Sequence, residues 1–205
     1  MLKLVISVIA VIFICAFVFV QVHSAKDIPV EQLKPQWTTS ASSFMEIGGL
    51  SLHVSDEGVK NAATPIVLIH GTGASLHTWD GWTSTLKHQR RVIRFDLPGF
   101  GLTGPEPQNN YTIENYTDYL VKLLDALGIS KAIVAGNSLG GYIAWATAIR
   151  YPDRVSKLVL VDASGYPYQA ESVPIAFKLS QNTLAKILLK LSLIHISEPT
   201  RPVLI

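Results

Sequence analysis

Ser138 lies in Gly136-Asn137-Ser138-Leu139-Gly140, a serine with glycine two residues to either side. Lys131 to Ala135 is an apolar run that reads as a strand, and Leu139 to Tyr151 reads as a helix. A serine at a sharp strand-to-helix turn sits in a strained backbone conformation. The two glycines remove Cβ atoms that would collide there. The hydroxyl then projects above the sheet at the N-terminus of a helix, whose dipole and free N–H groups favour an oxyanion. The chemistry such a group could do is attack on a carbonyl carbon. As a bare pattern, G-x-S-x-G arises by chance in roughly one chain in fifteen of this length. The flanking strand and helix supply the specificity.

A serine hydroxyl is a poor nucleophile unless a histidine removes its proton and a carboxylate orients that histidine. His70 follows the apolar run Pro65 to Ile69 and opens His70-Gly71-Thr72-Gly73. Asp96 opens Asp96-Leu97-Pro98-Gly99-Phe100-Gly101, and Asp162 follows Leu158-Val159-Leu160-Val161. Both aspartates stand where strands end, the sheet edge at which sites assemble. His53, His77 and His88 are read as surface or loop residues.

The elements that must position these groups alternate with short connections. Phe44 to Ile47 and Leu50 to Ser55 read as a hairpin around Gly48-Gly49. Pro65–Ile69 and Arg91–Phe95 read as strands, with a helix over Trp79 to Leu86 between them. Thr112 caps a helix over Ile113 to Leu127, which Gly128 stops. A last strand covers Lys157 to Val161, and the alternation predicts an α/β fold with a doubly wound, mostly parallel sheet.

Four motifs in order, the His70 loop, the Asp96 turn, the Ser138 elbow and Leu158 to Ala163, resemble the α/β-hydrolase superfamily, over residues 44 to about 190. The resemblance implies two antiparallel N-terminal strands, a parallel remainder, and a helical cap after the strand ending near Val161. It implies Ser138 as nucleophile and the backbone N–H groups of Thr72 and Leu139 as the oxyanion hole. His70 and Gly71 then shape the oxyanion loop, Gly136 and Gly140 permit the elbow, and Asp96 braces the Pro98-Gly99 turn. Asp162 is carried as a less favoured triad acid, because most members take theirs one strand later. The implied activity is hydrolysis of carboxylic esters or related acyl bonds of small apolar substrates, through an acyl-enzyme and with no cofactor. Two alternatives stay open: a carbon–carbon bond hydrolase acting on ring-cleavage products, and a non-catalytic binding protein. The serine speaks against the dehalogenase and epoxide-hydrolase branches, which place aspartate at the elbow.

Composition bounds the rest. With 48% hydrophobic and 16% charged residues the body is globular. A net charge of +2 lacks the basic surplus of nucleic-acid binders, so no nucleic-acid partner is expected. One Cys and six scattered His give no zinc spacing, so no metal is expected. Leu4 to Val20 is almost wholly apolar, about 25 Å of helix. Residues 1–25 are therefore expected to be a signal anchor or a signal peptide. The domain is expected to be membrane-anchored on the extracytoplasmic side or, after cleavage, secreted or periplasmic. Residues 26–43 read as a linker, 44–169 as a partial hydrolase core, and 170–190 as the start of the cap. Ile175, Leu179, Leu184 and Ile187 recur at roughly helical spacing in that last segment. Oligomeric state is not legible.

Residues 191–205 read differently. Leu191 to Arg201 matches the in-frame translation of a transposase adapter used in DNA library preparation. The expectation is that this tail is not native, which leaves His195, the one histidine after Ser138, without a catalytic role. A chain without base and usual acid is expected to be inactive although its parent is active.

Overall fold

The computed structural model of the protein describes residues 2–23, 28–60 and 63–166. They fall in two compact units. Helix α1 (Leu2–His23) belongs to one, and residues 29–167 form the other. The expected cap start at 170–190, the tail at 191–205 and His195 lie outside the described residues.

Helix α1 is 22 residues long, about 33 Å at 1.5 Å per residue. Its described side chains, at 6–8, 10–19 and 22, are exposed. Among the described residues no helix is long and apolar enough to cross a membrane. The expected anchor therefore draws no support from a described span.

The segment expected to be a linker contains a helix, α2 (Val30–Trp37). Lys34 pairs with Glu31 at 2.6 Å, and Thr38 closes the helix with two bonds to the Lys34 carbonyl. Pro35 removes only one N–H from so short a helix. The Lys34 ammonium stands 4.3 Å over the Phe44 ring, and Trp37 meets His77 at 5.6 Å between ring centroids. These contacts hold α2 on the sheet unit, which the proline and the following Ser/Thr cluster concealed.

Strands β1 (Ser42–Ile47) and β2 (Leu50–Gly58) form the hairpin. Gly48 and Gly49 both have positive φ, 62° and 81°, the turn geometry whose twist matches that of the flanking strands. Then follow β3 (Ile66–Ile69), a 3-10 turn (Leu76–Trp79), α3 (Asp80–Leu86) and β4 (Arg91–Phe95). After these come α4 (Ile113–Ala126), β5 (Ala132–Asn137), α5 (Leu139–Arg150) and β6 (Val155–Val161). The sheet order is β1-β2-β4-β3-β5-β6. β2 runs antiparallel to β1 and β4, and β4, β3, β5 and β6 are mutually parallel.

Alternation along β3 explains how the sheet is covered. Val67 and Ile69 join Leu120, Leu123, Leu124 and Ile143 in the core beneath α4 and α5. Ile66 and Leu68 join Trp79 and Val92 on the other face, with Leu86 of α3 packed against them. All four β3 side chains are buried, so the strand reads as one continuous apolar run. The helices clamp a rigid strand whose C-terminal end leads directly into His70.

Candidate active site

Ser138 links β5 to α5 with φ 52° and ψ −115°. Positive φ in a residue with a Cβ is strained, at a cost of about 1–3 kcal/mol. Three backbone bonds impose it. Ser138 N–H donates to Val161 O at 3.1 Å, and Ser138 O accepts from Tyr142 N and Ser164 N, each at 3.0 Å. The glycines act by close approach. A Cβ on Gly136 would run into the Gly140 carbonyl and stand 2.6 Å from Gly141 N. One on Gly140 would stand 2.6 Å from His70 O and collide with Ile69 O. The start of α5 thus lies against the end of β3. Among the described residues Ser138 Oγ makes no hydrogen bond, and the Leu139 N–H, first in its helix, has no partner.

The loop after β3 packs on this turn. A Cβ on Gly71 would stand 3.1 Å from Ser138 Cβ and 3.0 Å from Asn137 Oδ1. His70, fully buried, accepts the Leu97 N–H at Nε2 (3.0 Å) and faces Gly71 O with Nδ1 (2.8 Å). A backbone N–H can only donate, so Nε2 is bare and the ring proton sits on Nδ1. Burial pushes the His70 pKa down, against the bond to Gly71 and the charge of Asp96. The neutral ring in this tautomer fixes the Gly71–Thr72 peptide. Carbonyl and N–H of one peptide point in opposite directions, so the Thr72 N–H faces away from His70. That N–H has no partner among the described residues. His70 is thus committed to the loop and has no lone pair free for a serine proton.

The hydrogen bonds of Asp96 run to residues outside the Pro98-Gly99 turn that it was expected to brace. Oδ1 accepts the Leu76 N–H at 2.8 Å, and Oδ2 accepts from Leu102 N and His53 Nδ1, both at 2.8 Å. Its backbone oxygen accepts from Thr103 Oγ1 at 2.8 Å. Burial opposes the charge, but the bonds from His53, Leu76 and Leu102 outweigh it and hold the carboxyl below its usual value. Leu76 O is tied separately, to the Arg94 guanidinium at 3.3 Å.

His53 departs from the reading of it as a surface or loop residue. It is fully buried in β2. Leu50, Leu52 and Val54 fill one face of the strand, which by alternation leaves His53 toward solvent. On that second face the ring is held among Ser42, Phe44 and Asp96, while Thr103 Oγ1 accepts the His53 backbone N–H at 3.0 Å. No sequence signal marks these partners. His77 is partly buried and bonds Trp37 O through Nε2 at 3.0 Å, and His88 is exposed.

Asp162 follows β6 directly, beside the elbow, with φ 45°. It is exposed, and its carboxylate has no hydrogen-bond partner among the described residues. One further group borders the elbow. Tyr142 stacks on Trp145 at 4.8 Å, Trp145 meets Tyr166 at 5.2 Å, and Trp145 Nε1 donates to Ser164 O at 3.0 Å. The segment leaving β6 is thereby held along α5.

A family model described as alpha/beta hydrolase fold matches residues 64–185. The chain is 38% identical to a 2-hydroxy-6-oxo-2,4-heptadienoate hydrolase of Pseudomonas putida, over 60% of this chain and 44% of the relative. It is 38% identical to a 1-acylglycerol-3-phosphate O-acyltransferase of Homo sapiens, over 51% of this chain and 31% of the relative. A solved meta-cleavage product hydrolase from Pseudomonas fluorescens superposes with a TM-score of 0.58 at 35% identity, covering 62% of this chain and 47% of that one. The chain spans under half the length of these curated relatives. The elbow, the His70 loop, the sheet order and the family match converge: the chain belongs to the α/β-hydrolase fold family.

Proposed function

We propose that this chain carries the nucleophile and oxyanion hole of a serine hydrolase that cleaves acyl bonds of small apolar substrates. One observation carries the reading. Ser138, held at φ 52° between β5 and α5, combines a hydroxyl and a neighbouring Leu139 N–H that both lack a hydrogen-bond partner among the described residues. In the proposed reaction Ser138 Oγ adds to a substrate carbonyl, and the Thr72 and Leu139 N–H groups stabilise the oxyanion. The serine proton passes through a general base to the leaving group. Water then releases the acyl group from Oγ and restores the hydroxyl. Loss of one such N–H donor costs on the order of 2.7–4 kcal/mol in this type of site. Among the described residues no histidine is hydrogen-bonded to Ser138 Oγ. His53 and His70 are locked in hydrogen bonds, and His77 is bonded to Trp37.

Carboxylic esters are the substrate class proposed first. The likeness to a heptadienoate hydrolase and a meta-cleavage product hydrolase favours a second reading, cleavage of a carbon–carbon bond next to a carbonyl. Both use the same nucleophile. A panel of p-nitrophenyl esters against a 2-hydroxy-6-oxo-dienoate, run on the protein expressed from its genomic reading frame, separates them. Turnover of esters alone supports the first reading, and turnover of the dienoate alone supports the second. Turnover of either that survives Ser138→Ala contradicts both. We also propose that residues 1–25 attach the protein to a membrane, with the hydrolase unit on the extracytoplasmic side. The apolar run Leu4 to Val20 in the sequence motivates that reading.

A further inference from the structure

Ser42, His53 and Asp96 form a hydrogen-bonded chain of the same residue types as a catalytic triad. Ser42 Oγ lies 2.9 Å from His53 Nε2, and His53 Nδ1 lies 2.8 Å from Asp96 Oδ2. It is not built as a second nucleophile. The Thr39 N–H is directed at Ser42 Oγ itself, at 3.0 Å, rather than held for an oxyanion. Phe44 stacks on the His53 ring at 5.1 Å and covers that face.

What this chain touches is the loop that carries Thr72, and it touches it at both ends. At the far end Asp96 Oδ1 accepts the Leu76 N–H. At the near end the residue after Asp96, Leu97, donates its N–H to His70 Nε2, and His70 Nδ1 fixes the Gly71 carbonyl. The Asp96 carboxylate therefore sets the far anchor of residues 70–76, and the backbone of the next residue sets the near one. Asp96 Oδ2 is oriented by two donors, the Leu102 N–H and His53 Nδ1. His53 is fully buried, so bulk solvent does not replace that donor when it is removed.

We propose that His53, steadied by Ser42, is a positioning residue that locks Asp96 so that the loop 70–76 presents the Thr72 N–H to an oxyanion on Ser138. This rests on the reading of Ser138 as nucleophile and extends the site to the antiparallel hairpin, a part of the sheet that carries none of the reacting groups. Misplacement of a catalytic donor by roughly 1 Å slows reaction by about 100-fold, which sets the scale of the expected effect.

The test follows fluorophosphonate labelling of Ser138 in the protein expressed from its genomic reading frame, alongside deuterium exchange of the backbone over 70–76. Circular dichroism confirms that each variant is folded. His53→Leu is expected to slow labelling by about 10- to 100-fold and to raise exchange over 70–76. His53→Asn places an amide N–H where Nδ1 stands, and is expected to restore labelling to within about threefold of wild type and to restore protection. Labelling by His53→Leu at the wild-type rate would overturn the proposal, and so would a His53→Asn variant no better than the leucine. If His53→Leu does not fold, Ser42→Ala decides: faster exchange over 70–76 supports the lock, and wild-type exchange with wild-type labelling overturns it. If wild type does not label at all, the hydrolase reading falls. The exchange arm then still decides the lock, because release in the leucine variant and protection in the asparagine variant require it.

Discussion

A serine held at φ 52° carries a backbone cost of about 1–3 kcal/mol, and the surrounding contacts are built to keep it there. Gly140 is one of them, facing the carbonyls of Ile69 in β3 and of His70 after it. Gly140→Ala is therefore expected to destabilise the fold by about 1–3 kcal/mol, read as a lower urea midpoint with an unchanged m-value. Asp162→Asn separates the less favoured acid from the elbow. The side chain is exposed and asparagine tolerates its left-handed backbone, so stability is expected to change by less than about 0.5 kcal/mol. If Asp162 has no triad role, ester turnover stays within about threefold; a loss near 10⁴-fold would make it the acid. His70 gives the pH dependence. Burial lowers its folded pKa below the ordinary 6.5, so as pH falls the unfolded chain takes up the proton first. Its contribution to stability is complete above about pH 6.5 and is lost progressively below it. Denaturant midpoints at several values between pH 8 and pH 5, compared with those of His70→Asn, check this slope.

At the scale of elements, the Asp96 carboxylate joins β2, the 3-10 turn and the loop before Thr103 through three buried bonds. Asp96→Ala leaves His53 Nδ1 and two N–H groups without their acceptor, and is expected to cost about 3–5 kcal/mol. Leu120→Ala, in the core under α4, is expected to cost a similar 2–5 kcal/mol, but without faster exchange confined to residues 70–76. That contrast distinguishes a hub from a packing residue. The strands and the elbow were legible because the signals are local: the apolar run at β3, the glycine pair at the hairpin, and Thr112 accepting from Asn115 N at the start of α4. α2 was not legible, because Pro35 reads as a helix breaker and the contacts with Phe44 and His77 that hold the segment are not local. His53 was misread for a similar reason. Its ring bonds Asp96, 43 residues later in the chain, and alternation along one strand carries no information about such a partner. The roles proposed for Thr72 and Leu139 rest on backbone N–H groups, so only the residues around them left a trace in the sequence.

At the scale of the molecule, α1 and the sheet belong to different compact units. If residues 1–25 attach the protein to a membrane, it is expected to stay in the membrane pellet through an alkaline carbonate wash, and a variant lacking them is expected in the supernatant. Wild type released by the wash would contradict attachment. The central claim concerns the other unit, and peptide mapping after treatment with a fluorophosphonate tests it most directly, on protein expressed from the genomic reading frame. The account predicts a single covalent adduct on Ser138, absent from Ser138→Ala. An adduct on another residue, or none on a folded protein, would contradict it.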